Sequence, residues 1–170
     1  MGDVFKEQIV KRKSTAKDFF IKVALALGVA LVFFIGLTFL GPMTLLVTFA
    51  AGFGAYYLIG RTNREYEYIF TNGELDIDVI YNRSSRKRLF TASVKSFDVM
   101  GHIDDPGRAH AFAGAQAVVD YSSGVPGPDT YAFLFNHNGK RTKFLIEPNE
   151  AMRELFAKAM GRTKFYPRNG

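Results

Sequence analysis

Two long apolar runs dominate the first third of the chain. Val23 to Leu40 and Met43 to Gly60 carry no charge, and only Gly41-Pro42 separates them. Each run is 18 residues long. At ~1.5 Å of helical rise per residue that is about 27 Å, close to the hydrocarbon thickness of a bilayer. The pattern predicts two membrane helices, residues 19–40 and 43–60, joined by a very tight turn. The twelve Leu, Ile, Val and Phe residues of the first run favour insertion by roughly 4–7 kcal/mol. The seven of the second favour it by roughly 2–4 kcal/mol, so the second span leans on the first. Small residues recur four apart at Ala24/Gly28, Ala50/Gly54 and Ala51/Ala55. That spacing suits close packing within the hairpin and also leaves homo-oligomerisation open. Neither run contains Asp, Glu or His, which argues against a proton or ion pathway.

The flanks carry the charge. Residues 1–18 predict a basic amphipathic helix, with Asp3 as N-cap and Phe5, Ile9, Ala16 and, running on, Phe20 on one face, although Arg12 and Lys13 interrupt that face. Lys11, Arg12, Lys13, Lys17 and Lys22 precede the first span, and Arg61 and Arg64 follow the second. Basic residues at both outer ends predict a multi-pass protein with both termini in the cytoplasm. The same residues suit an interface with anionic lipid. An uninterrupted apolar core of 18 residues exceeds that of a cleaved signal peptide, usually ~7–15.

Beyond Arg64 the pattern switches to alternation, the signature of strands with one buried face. Tyr66, Tyr68 and Phe70 point one way, Asn72-Gly73 offers a hairpin turn, and Leu75, Ile77, Val79 and Tyr81 alternate with Asp76 and Asp78. A polar turn over residues 82–85 leads into the basic Arg86-Lys87-Arg88 and then Leu89, Phe90, Val94, Phe97 and Val99. Residues 101–117 and 122–130 read as loops. Between and after them lie short alternating segments, Ala117 to Tyr121, Tyr131 to Phe135 and Thr142 to Ile146, the last two joined at Asn138-Gly139. Asn149 can cap a helix whose apolar stripe is Met152, Leu155, Phe156, Ala159 and Met160, stopped by Gly161. Residues 162–170 read as an unstructured tail.

The formal charge is +6 with a sequence pI near 9.5, and there is no cysteine. Thiolate metal sites, disulfides and cysteine nucleophiles are therefore excluded. The net charge over residues 61–170 is too dilute for a nucleic-acid surface. His102, His110 and His137 lack zinc-ligand spacing, and no cofactor or catalytic motif is present.

Several short antiparallel strands closed by one terminal helix is the layout of the pleckstrin-homology-like fold. The segment EYEYIFTNGELDID, the basic RKRLF and the start FKEQIVKRK together resemble a bacterial membrane family catalogued as domain of unknown function 6106. The resemblance implies a membrane helical hairpin, residues 19–60, followed by a pleckstrin-homology-like α+β domain, residues 64–161, built as an antiparallel β-barrel or sandwich with a C-terminal helix. It implies a bacterial cell-membrane location and brings no assigned activity.

Arg83, Arg86, Lys87 and Arg88 are the leading candidate contacts for anionic lipid or a partner; the competing account is an edge strand charged for solubility. Asp76 and Asp78 read as the wet face of a hairpin. The function these features predict is a non-enzymatic, membrane-anchored binding or scaffold module with a protein partner. The alternatives are an anionic-lipid or envelope sensor using residues 83–88, and a small membrane enzyme.

Overall fold

The computed structural model describes residues 4–105, 110–161 and 164–167. It divides into two compact units. One comprises Met1–Lys13, Glu65–Ile80 and Arg86–Gly170, and the other Ser14–Arg64 and Tyr81–Ser85.

The second unit is a helical hairpin, α1 (Ala16–Phe39) and α2 (Met43–Gly60). Helix α1 begins earlier than its apolar run because Thr15 and Asp18 form a capping box, each side chain bonding the other's backbone N–H. Both helices are long and apolar enough to cross a membrane, and only 6% and 11% of their apolar windows is buried within the molecule. That exposure is opposite to a soluble core helix. The two helices touch where Gly36 meets Thr44.

The globular unit opens with a strand rather than the amphipathic helix that the spacing of Phe5 and Ile9 predicts. Strand β1 (Phe5–Lys11) pairs antiparallel with β2 (Arg64–Thr71), across the whole hairpin insertion. Positions four apart share a helix face but also share a strand face, so spacing alone does not separate the two. The strand wins because Val10 becomes buried and the edge of β2 is filled. Asp3, the expected cap, lies outside the described residues.

Strands β3 (Glu74–Tyr81) and β4 (Ser85–Ser93) complete a sheet of order β1-β2-β3-β4. The β2–β3 turn places Asn72 at φ 50° and Gly73 at φ 97°, the left-handed pair that an Asn-Gly hairpin requires. A second sheet has the order β6-β8-β7-β5-β9, from β5 (Val99–His102), β6 (Ala117–Asp120), β7 (Tyr131–His137), β8 (Lys140–Ile146) and β9 (Phe165–Tyr166). The two sheets do not close into a barrel, so the expectation of a barrel or sandwich holds only loosely.

Aromatic rings fill the core. Phe97 stacks on Phe133 at 4.1 Å, Phe133 on Phe144 at 4.9 Å, and Phe90 lies 4.8 Å from Phe144. Helix α3 (Glu150–Met160) is capped by Asn149, buries Met152, Phe156 and Met160, and ends at Gly161. Phe156 reaches Phe70 of β2 at 5.7 Å.

The tail corrects a second expectation. Residues 165–166 form β9, parallel to β5, with Phe165 buried and stacked on Tyr131. Gly101 makes room, since a Cβ there would sit 3.3 Å from Tyr166 Cβ. Residues 162–163 and 168–170 lie outside the described residues.

Candidate binding surfaces

The basic strand β4 is largely committed to carboxylates. Arg86 pairs with Glu67 at 2.7 Å, and Arg88 pairs with Asp76 at 2.7 Å and with Asp78. Glu67 and Asp78 are buried beneath these guanidinium groups, with side chains 5% and 4% exposed. Asp78 is therefore not on a wet face: a cation covers it. The hydrogen bond to Asp78, followed by the nearby Asp76 charge, holds the Arg88 pKa above its ordinary value despite desolvation. All four residues of the sequence-predicted cluster are exposed, and two of them, Arg86 and Arg88, are ion-paired to the carboxylates beneath them.

Arg83 has unusual backbone geometry. The β3–β4 turn holds Asn82 at φ 48° and Arg83 at φ 57°, and a left-handed conformation costs a residue with a Cβ about 1–2 kcal/mol. The turn is fixed at the end of α2: Asn82 N–H donates to Asn63 C=O at 3.0 Å, and Gly60 packs against the Asn82 side chain. Arg64 stacks over the Tyr81 ring at 6.0 Å, and Arg61 over Tyr57 at 5.1 Å. Within this unit the turn therefore groups Arg83 with Arg61 and Arg64, which follow α2. The other flanking cations separate: Lys11 ends β1, while Arg12 pairs with Asp120 at 3.4 Å in the globular unit. Lys17 and Lys22 fall in the first turns of α1.

A second surface shares just Lys11 with the sequence-predicted site residues. A cavity of about 400 Å³ opens beside β1, lined by Gln8 to Lys11, Ser123, Asp129 and residues 147–150. Gln8 ties its two walls together. The amide donates to Glu147 C=O at 2.7 Å and accepts from Asn149 N–H at 2.7 Å. Behind them, the Tyr68 hydroxyl donates to Tyr121 C=O at 2.6 Å and accepts from Glu147 N–H at 3.2 Å. Burial pushes the Tyr68 phenol far above its ordinary pKa, so it stays protonated and keeps donating. The sequence offered little signal for it, since the apolar positions of FKEQIVK do not alternate and the alternation appears only in burial once β1 is paired.

The protein-family model described as Bacterial PH-like domain (DUF6106) matches residues 2–166. The chain belongs to this family. No curated protein and no solved structure matches it. PH-like domains are generally binding modules rather than enzymes, so membership of DUF6106 supports a binding or scaffold role.

In this DUF6106 chain the three histidines do not converge on a shared site. His102 is buried in β5, accepting from Asp104 N–H at 3.2 Å on Nδ1 and lying 3.0 Å from Pro128 C=O through Nε2. With Nδ1 accepting, Nε2 is the donor. This bridge fastens the 122–130 loop to the sheet. Among the described residues, no group of three or more His, Asp or Glu is placed to hold a metal ion.

Proposed function

We propose that the chain is a membrane-anchored binding module of the bacterial cell membrane. Its globular unit engages a protein partner at the cytoplasmic face and performs no catalysis of its own. The insertion of the apolar hairpin between two paired strands carries this reading. Strand β1 precedes α1, β2 follows α2, and the two pair over seven residues. If the helices span the bilayer, both ends of the hairpin must emerge on one side, or those strands could not share a sheet. The basic flanks then select the cytoplasmic side.

Topology and partnership are tested together. Single cysteines at the exposed Glu74 and Lys140 are expected to resist a membrane-impermeant maleimide in intact cells and to react in inverted vesicles. Crosslinking in membranes followed by purification of the full chain is expected to recover a second protein. Labelling from outside intact cells, or recovery of the chain alone, would overturn the reading.

A lipid-sensing alternative is favoured by one observation, the strained Arg83 at the α2 end. Strain of this kind concentrates where a side chain's position matters. On that account Arg83 and Lys87 contact anionic headgroups, while Arg86 and Arg88 serve mainly to neutralise buried carboxylates.

A further inference from the structure

Strand β1 is an edge strand, and its residues 8–11 line the cavity. Asn72 N–H donates to Val4 C=O at 3.0 Å. Bonded pairs alternate in an antiparallel ladder, so Lys6, Gln8 and Val10 bond to β2, and the N–H and C=O groups of Glu7, Ile9 and Lys11 point outward. The register agrees, with Gln8 opposite Tyr68 and Val10 opposite Tyr66. Two residues past the end of β1, on the same side, Lys13 N–H donates to Ser123 C=O at 2.8 Å. Among the described residues no other backbone hydrogen bond reaches that edge. Ile9 is 56% exposed, an unusual residue to leave on an open edge without a covering element.

We propose that an extended peptide segment of a partner protein, carrying a Lys or Arg side chain, adds to the outer edge of β1 in this groove. The proposal deepens the binding-module reading and rests on it. Residues 8–11 line the groove, offering about 13 Å of edge at ~3.3 Å per residue, enough to register a short strand. Main-chain bonds to Ile9 and Lys11 supply affinity, and the walls supply selectivity.

Charge names the occupant. Asp129, Glu147 and Glu150 line the cavity against one cation, Lys11. Asp129 is engaged by Arg153 at 2.8 Å. Glu147 accepts from Ser123 at 2.7 Å and from Thr130 at 3.5 Å through Oε1 alone, leaving Oε2 for a ligand. Glu150, exposed in the first turn of α3, adds a second acceptor. A basic side chain satisfies both, and an acidic one is repelled.

The test uses the full chain in detergent micelles and fluorescent pools of eight-residue peptides with one position fixed as Lys, Arg or Glu. Pools fixed as Lys or Arg are expected to bind at least tenfold more tightly than the Glu pool. Ile9→Pro removes one outward N–H without touching the β2 ladder. It is expected to weaken binding at least tenfold while preserving the thermal midpoint. Glu150→Lys is expected to erase the preference for basic pools. Should Ile9→Pro fail to fold, an N-methyl scan of the best peptide decides, because a strand loses binding at every second amide. No binding pool, equal binding of the Glu pool, insensitivity to both backbone probes, or edge-to-edge dimers of the chain itself would each overturn the proposal. A partner crosslinked in membranes and retained by Ile9→Pro would sink the groove while leaving the membrane-anchored module standing.

Discussion

Gly36 and Thr44 meet across the helical hairpin so closely that a Cβ on Gly36 would lie 2.7 Å from Thr44 Cγ2. Thr44 cannot easily yield: it is β-branched, and its hydroxyl donates to Gly41 C=O at 2.7 Å in the turn. Gly36→Ala is therefore expected to part the helices or distort the turn, destabilising the hairpin by about 1–3 kcal/mol. At Gly28, Gly52 and Gly54 an added Cβ would meet no atom within 4 Å, so alanine there should leave the hairpin intact. Disulfide trapping between cysteines placed on α1 and α2 measures the contrast, and equal effects at all four glycines would contradict it.

That contrast bears on oligomerisation. The sequence spacing pairs Gly28 with Ala24 and Gly54 with Ala50, but the close contact inside the hairpin is made by Gly36 and Thr44 instead, with Ala55 also buried on α2.

Tyr68 supports the cavity wall through two hydrogen bonds, to Tyr121 C=O and from Glu147 N–H. Tyr68→Phe leaves both backbone groups without that partner and is expected to cost about 1–3 kcal/mol. Urea titration followed by far-ultraviolet circular dichroism checks this.

The same residue sets an alkaline limit. Burial raises the pKa of Tyr68, and of Tyr121, above the ordinary 10.0. Below pH 10 both folded and unfolded chains hold these protons, so the stabilisation is fully present. Above it the unfolded chain loses them first, and stability falls as pH rises, by up to about 1.4 kcal/mol per unit for the buried Tyr68 and by less for the half-buried, solvent-screened Tyr121. Tyr68→Phe is expected to flatten that slope. An unchanged slope in the variant would show that other groups govern alkaline unfolding.

Arg88 covers Asp78, whose side chain is 4% exposed, while its own is 49% exposed. Arg88→Met strands a buried carboxylate and is expected to destabilise the globular unit by about 1–3 kcal/mol, below the range for fully buried pairs because solvent reaches the guanidinium side. Adding Asp78→Asn should recover part of the loss. A double-mutant cycle without coupling would show that the pair is not a unit.

Which features were legible follows from the range of the interactions behind them. The hairpin, the Asn72-Gly73 and Asn138-Gly139 turns and the Asn149-capped helix each rest on residues within a few positions of one another. The β1 strand does not: Phe5 and Ile9 suit a helix or a strand equally, and Tyr66 and Tyr68, which decide between them, lie beyond the apolar hairpin. The same holds for β9, which needs the bare backbone of Gly101, and for Asp78, whose wet appearance vanishes once Arg88 folds over it. The groove beside β1 depends on four separate segments, so no local pattern could outline it.

Arg83 separates the lipid alternative from a purely structural turn. At φ 57° it occupies the position where an Asn-Gly turn would carry glycine, as Gly73 and Gly139 do in their hairpins. Arg83→Gly relieves the backbone and is expected to raise stability by up to about 1 kcal/mol in neutral-lipid nanodiscs. If the side chain also contacts headgroups, wild type should gain thermal stability when anionic lipid replaces neutral lipid, the gain should shrink as salt rises, and Arg83→Gly should lose it. Arg83→Lys then discriminates further, keeping the charge and the strain together. A wild-type chain indifferent to lipid charge would leave the turn without a role in reading the membrane and would remove the lipid-sensing alternative.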